Sequence, residues 1–144
     1  MKSLSQAITM FCLLFLTSQA SPRALPNPIL YFKGAESLTS NGKSMVKYHF
    51  DVENKDAYPL ELFAPAAKLP PCGKNTKASR TWVDIYEQNG KRLNGFCAFS
   101  KPGDLSGIWF ALPADETPPS WVYVEFNDRQ TSTKYKSNLA DTTL

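Results

Sequence analysis

The chain has 144 residues, 20% of them charged and 12% aromatic, with 16 Lys and Arg against 13 Asp and Glu for a net charge of +3. That length makes one domain, and so small a charge with no basic cluster leaves no footprint for nucleic acid or an anionic membrane. Three cysteines without a CxxC pair and a single histidine speak against zinc chemistry, and no cofactor is expected.

Lys2, the apolar run at 8–16 and the small residues Ser18, Gln19 and Ala20 have the three-part layout of a secretory signal, so residues 1–20 are expected to be cleaved after Ala20. The run is too short to cross a bilayer, which takes roughly 20 apolar residues. Cys12 lies inside it rather than behind a small residue, which argues against lipidation. The processed protein is expected to be soluble and monomeric, secreted to the periplasm or the medium, without membrane contact. Losing Cys12 with the leader leaves Cys72 and Cys97, an even count in an oxidising compartment, and these are expected to pair.

Residues 21–28 hold three prolines and read as an extended lead. From 29 onward the period is two, and the domain is expected to span 29–139. A first strand is expected at 29–35, with a turn at Asn41 and Gly42. The segment 45–53 alternates most cleanly, Val46, Tyr48, Phe50 and Val52 against Lys47, His49, Asp51 and Glu53, which predicts one core face and one wet face. A short third strand is expected at 60–63, between Pro59 and Pro65. The proline-rich stretch 66–77 cannot hold a ladder and reads as a long loop stapled by Cys72. Strands are then expected at 81–87 and 92–99, hinged at Asn89 and Gly90 and with Cys97 on the second. Further strands are expected at 106–112, 121–127 and 133–138, followed by a polar tail at 139–144. Seven or eight short strands with turn signals between them predict an all-β, two-sheet antiparallel sandwich.

The strand series, carried by 46–52, by Trp82, Val83, Asp84, Ile85 and Tyr86, and by Trp121, Val122, Tyr123, Val124 and Tyr135, resembles the immunoglobulin-like and fibronectin type III-like sandwiches. It departs from the antibody type in its cysteines, which sit in a mid-chain loop and the adjoining hairpin. The segments Pro70-Pro71-Cys72-Gly73, 79–86, Gly95-Phe96-Cys97 and Asp128-Arg129, with Tyr135, Ser137 and Asn138, are similar to those of small secreted proteins, mostly bacterial. That likeness implies a fold and a compartment and brings no activity.

A hydrolase needs nucleophile, base and orienting group within reach of one another. His49 with Asp51 is a conceivable dyad for a weak hydrolase, but it stands on a polar strand face and no serine occupies a G-x-S-x-G elbow. His49, Asp51 and Glu53 splay along a rod rather than converge on a metal. The aromatic residues are the better candidates. If Val83 and Ile85 point inward, Trp82, Asp84 and Tyr86 form an outward platform of the kind that stacks on sugar rings or a partner. The opposite parity makes Trp82 a buried core tryptophan, the arrangement that sandwich cores favour. Trp109 and Trp121 carry the same ambiguity, and three tryptophans do not all fit the centre of so small a core. Arg80, Arg92 and Arg129 are expected to form surface ion pairs with Asp84, Glu87 or Asp128.

These features lead to an expectation of a secreted, non-enzymatic binding or adhesion module for a glycan or protein. An inhibitor or effector that presents the tied loop 70–77 is the alternative.

Overall fold

A computed structural model describes residues 23–66, 68–72 and 78–143. The leader expected at 1–20, and most of the loop 70–77, lie outside the described residues. Eight strands form two antiparallel sheets: β1 (Leu30–Ser40), β2 (Lys43–Val52), β3 (Thr81–Glu87), β4 (Arg92–Phe96), β5 (Ile108–Pro113), β6 (Trp121–Asp128), β7 (Thr133–Lys136) and β8 (Ala140–Asp141). The smaller sheet has the order β1-β2-β5, and the larger β4-β3-β6-β7, with β8 pairing β6 beyond the end of β7. The protein is thus the all-β sandwich that the alternation predicts.

The core follows from that alternation. Tyr48, Phe50 and Val52 on β2, with Ile108 and Phe110 on β5, meet Val83 and Ile85 on β3 and Val122, Val124 and Phe126 on β6. Tyr48 stacks on Phe110 with centroids 4.8 Å apart, and Phe50 lies 5.7 Å from the same ring. Fully burying each such side chain stabilises the fold by roughly 1.5–3 kcal/mol.

Asn41 and Gly42 form the two-residue turn between β1 and β2, with φ of 52° and 74°. Positive φ at both central residues is the type I′ requirement, which Asn-Gly meets at low cost. At the second hairpin the Gly90 N–H donates to the Glu87 carbonyl at 2.9 Å, and Gly90 takes φ 90°.

Several boundaries depart from the expectation. Residues 60–63 are a 3₁₀ turn (Leu60–Phe63) rather than a strand, with Leu62 and Phe63 both buried. Leu60, Leu62 and Phe63, with Glu61 among them, fit either form, and no strand among the described residues pairs with them. The segment before β5 is another 3₁₀ turn (Pro102–Gly107), capped by Asp104, which accepts from the Ser100 N–H at 2.7 Å. β4 ends at Phe96, so Cys97 stands just past the strand rather than on it. Asp51, expected on the wet face, is buried. It accepts from Lys55 Nζ at 2.9 Å, Ser106 Oγ at 3.0 Å and the Tyr31 hydroxyl at 3.1 Å. Burial by itself would raise this carboxyl, but those hydrogen bonds prevail and hold it below the usual range.

Both flanks of the domain are fastened. Tyr58 donates its hydroxyl to the Pro26 carbonyl at 2.9 Å, and Leu25 packs against the core. The segment read as a polar tail closes the large sheet instead: β8 pairs with Trp121 and Val122, and Ala140 and Thr142 are buried. Asn138 joins the sheets, accepting from the Leu30 N–H at 2.8 Å and donating to the Leu30 carbonyl at 3.0 Å. No helix among the described residues is long and apolar enough to cross a membrane.

Cys72 and Cys97 form a disulfide across a separation of 25 residues, with Cα atoms 6.0 Å apart. Closing a loop of that length stabilises by about 3 kcal/mol on the chain-entropy account. Denaturant unfolding with and without reductant, repeated on the Cys72→Ser/Cys97→Ser double variant, is expected to show a loss of about that size. Coincident unfolding curves would contradict the assignment of the bridge as a structural staple.

Candidate binding face

Val83, Ile85, Val122, Val124 and Phe126 have no access to water. Side chains alternate along a strand, so Trp82, Asp84 and Tyr86 on β3 share the outer face of the large sheet with Trp121, Tyr123, Glu125 and Asn127 on β6. The assignment of Trp82 to the core is thereby corrected: its strand neighbours Thr81 and Val83 take the inward positions. The register sets Trp82 opposite Asn127, Asp84 opposite Glu125 and Tyr86 opposite Tyr123. The Gln88 N–H donates to the Trp121 carbonyl at 3.0 Å, which carries the row on to Trp121. Tyr86 and Tyr123 stack with centroids 5.3 Å apart and planes at 18°. Trp121 remains 41% exposed, high for so large an apolar side chain.

Trp109 does not join this row. It stands on β5 in the other sheet, opposite His49, with Lys47 Nζ 4.6 Å from its ring centroid and Phe96 at its edge. The structure therefore brings together Trp82, Asp84, Tyr86 and Trp121, and leaves Trp109 elsewhere.

Charge crosses the face in a line. Asp84 and Glu125 lie directly opposite one another, and like charges in that position repel. Arg92 from β4 donates through Nε to Asp84 at 2.8 Å, and Lys134 from β7 donates to Glu125 at 2.9 Å. The resulting order of plus, minus, minus, plus removes the repulsion. Gly95, opposite Asp84 on β4, makes room for it, since a Cβ there would fall on the Arg92 guanidinium and the Asp84 carboxylate. Burial, followed by the nearby Asp84 and Glu125 charges, holds the Tyr86 phenol above its ordinary range. Tyr86 is accordingly a neutral ring with a donor hydroxyl at neutral pH.

Two further cations rest on aromatic faces. The Arg129 guanidinium lies 3.8 Å from the Trp82 ring centroid, and Lys136 Nζ lies 4.1 Å from that of Tyr123. Arg129 also donates to the Pro70 carbonyl at 2.5 Å, which ties the approach to Cys72 onto this face. Glu125 and Lys136 were not singled out by the sequence pattern, and Arg129, expected in a surface ion pair, forms none among the described residues. The alternation around Val122 and Val124 marks Tyr123 and Glu125, but no local signal shows which strands lie on either side of them.

The other candidates are spoken for. His49 Nε2 is 2.8 Å from Glu36 Oε1 on β1, and Asp51 is engaged by Lys55, Ser106 and Tyr31. Among the described residues no three His, Cys, Asp or Glu side chains gather at one point. Of the arginines, Arg92 takes Asp84 as expected. Arg80 forms a two-pronged bond to Asp128, at 2.8 and 2.6 Å, and Asp128 is 2% exposed, so this pair is far less superficial than a surface ion pair. It borders a groove of about 480 Å³ lined also by Leu25, Glu61 and Tyr135.

Comparison with protein-family models, with curated proteins and with solved structures gives no match.

Burial would raise the Asp128 carboxyl, but bonds from Arg80, Thr131 and the Gln130 N–H outweigh it and hold the group at about 2. A folded value below the unfolded value of about 3.9 adds stability above pH 4 that is lost as pH falls towards 2. The amount is on the order of 2 kcal/mol. Unfolding free energies of wild type and Asp128→Asn, measured from about pH 6 down to pH 2, are expected to differ most at the upper end and to converge at the lower. A constant difference would show that Asp128 is not the titrating group.

Proposed function

We propose that the protein is an exported, non-enzymatic binding module of the immunoglobulin-like or fibronectin type III-like kind, which engages a glycan or protein ligand through the outer face of its larger sheet. The observation that carries this reading is the row Trp82, Tyr86, Tyr123 and Trp121. These rings lie on the side of the sheet opposite the dry residues, with Trp121 exposed, Trp82 and Tyr86 half-buried and Tyr123 nearly covered beneath Lys136. Flat aromatic surfaces of this kind stack on sugar rings and anchor protein interfaces.

The strand partition supports the fold kinship. β1, β2 and β5 take the places of strands A, B and E, and β3, β6 and β7 those of C, F and G, with β4 added to the latter sheet. Export is supported by the arrangement of Lys2, the apolar run 8–16 and Ala20, together with the Cys72–Cys97 bond. The second reading, an inhibitor or effector presenting the loop 70–77, draws on that bond and on the hold of Arg129 on Pro70. Pre-organised loops bind with less ordering cost. Reduction of the bridge separates the two readings: it abolishes binding through the loop and leaves a sheet face working.

Glycan and protein arrays probed with the exported protein and with Tyr86→Ala and Trp121→Ala are the direct test. Truncating an anchoring aromatic residue is expected to weaken binding at least tenfold, or about 1.4 kcal/mol. A ligand bound equally well by both variants would overturn the assignment of the face, as would the absence of any ligand.

A further inference from the structure

The charge on the aromatic face is not balanced. Of its four cations, Arg92 and Lys134 are matched by Asp84 and Glu125. Arg129 and Lys136 rest on ring faces without a carboxylate partner. All 13 Asp and Glu side chains of the chain lie among the described residues. None of them forms an ion pair with Arg129 or Lys136 there. The sheet thus presents two surplus positive charges on one side, each held against an aromatic ring.

A second observation falls at the same place. Trp82 Nε1 and Arg129 Nη1 are both shielded from water and have no hydrogen-bond partner among the described residues. Buried donors are nearly always paired, and both of these groups donate only. Any group that reaches them as the Arg129 side chain shifts has to be an acceptor, and the planar guanidinium fork is best matched by a carboxylate or a sulfate.

Resting on the reading of this sheet as a binding face, we infer that its ligand is an acidic glycan, whose anionic groups are received by Arg129 and Lys136 while its sugar rings lie on the aromatic row. A uronate or sulfated sugar carries an anion and a flat ring face on one unit, and both are complementary to this surface. An acidic peptide carries its carboxylates on flexible stems and brings no ring to stack. An exposed cation–aromatic contact is weak, whereas a charge-assisted hydrogen bond is strong. An incoming anion therefore draws Lys136 off Tyr123 and uncovers the Tyr86–Tyr123 pair for stacking. A neutral sugar has to displace Lys136 with nothing to receive it. Trp82 and Tyr86 are four residues apart on one strand, a span of about 13 Å, so the ligand is a chain of several sugars rather than one ring. Beyond that span, Trp121 stands beside a depression of about 300 Å³, lined also by Gln88, Asn89 and Pro119, that receives the end of such a chain.

The test compares three probes of equal length on the exported protein: an oligogalacturonate, its methyl ester, in which the same rings lose their charge, and a poly-glutamate peptide. Calorimetric titration is expected to show the acid bound at least tenfold more tightly than the ester, with affinity falling as salt is added. Lys136→Gln and Arg129→Gln are each expected to remove most of that preference, and Lys136→Gln, which uncovers the Tyr123 ring, is expected to bind the ester at least as tightly as the wild type does. Arg129 also holds Pro70, so Lys136→Gln, at an exposed position, guards against a variant that fails to fold. Equal binding of acid and ester, or preference for poly-glutamate, would overturn the acidic-glycan assignment while Trp121→Ala still reported on the face itself. If Trp121→Ala left every affinity unchanged, the face and its ligand class would both fall.

Discussion

Val83 and Ile85 on β3 lie against Val122, Val124 and Phe126 on β6, all of them dry, and across the core stand Phe50, Val52, Ile108 and Phe110. The inward direction of these residues governs the rest of the molecule. In a strand with one buried face the side-chain period is two, so a slip of a single residue would expose every one of them. That cost holds the register of β3 against β6, and with it the pairing of Tyr86 with Tyr123 and of Asp84 with Glu125 on the opposite side. The aromatic face is thus a consequence of the core: what is turned away from the dry interior has no other place to go.

The ends of the sandwich are held by different means. Asp51 and Asp128 are both buried carboxylates, and each is surrounded by three or more donors. A buried charge is tolerated only when its lone pairs are filled in this way. Asn138 performs the same service for a neutral group, meeting both backbone polar atoms of Leu30 where β1 would otherwise present an unpaired end. Together with the disulfide, these contacts fasten the irregular connections that the short strands leave between them, in a domain whose size leaves a modest stability margin.

Much of the fold was legible in local pattern. The alternation of Val46, Tyr48, Phe50 and Val52 identified β2 and its inner face, and Asn41-Gly42 identified its turn. The same reasoning failed at 60–63 and again at 139–144. Leu60–Phe63 is apolar enough for a strand, but no strand among the described residues pairs with it. Ala140–Asp141 is too short and polar to announce itself, and is a strand only because β6 has an open edge beyond β7. In both places a distant partner decided the outcome.

The candidate site divides in the same way. Sequence by itself determined that Trp82, Asp84 and Tyr86 travel together, and that Trp121 travels with Tyr123, because alternation within one strand is a property of the extended backbone. It also marked Cys72 and Cys97 as candidates for one bridge. Tertiary structure alone decided which side of β3 is wet, that β3 and β6 are neighbours while β5 belongs to the other sheet, and that Arg129 and Lys136 come to rest on aromatic rings without a carboxylate. Such facts depend on which strand lies beside which, and that choice is made by the burial of apolar surface over the whole chain rather than by any local run of residues.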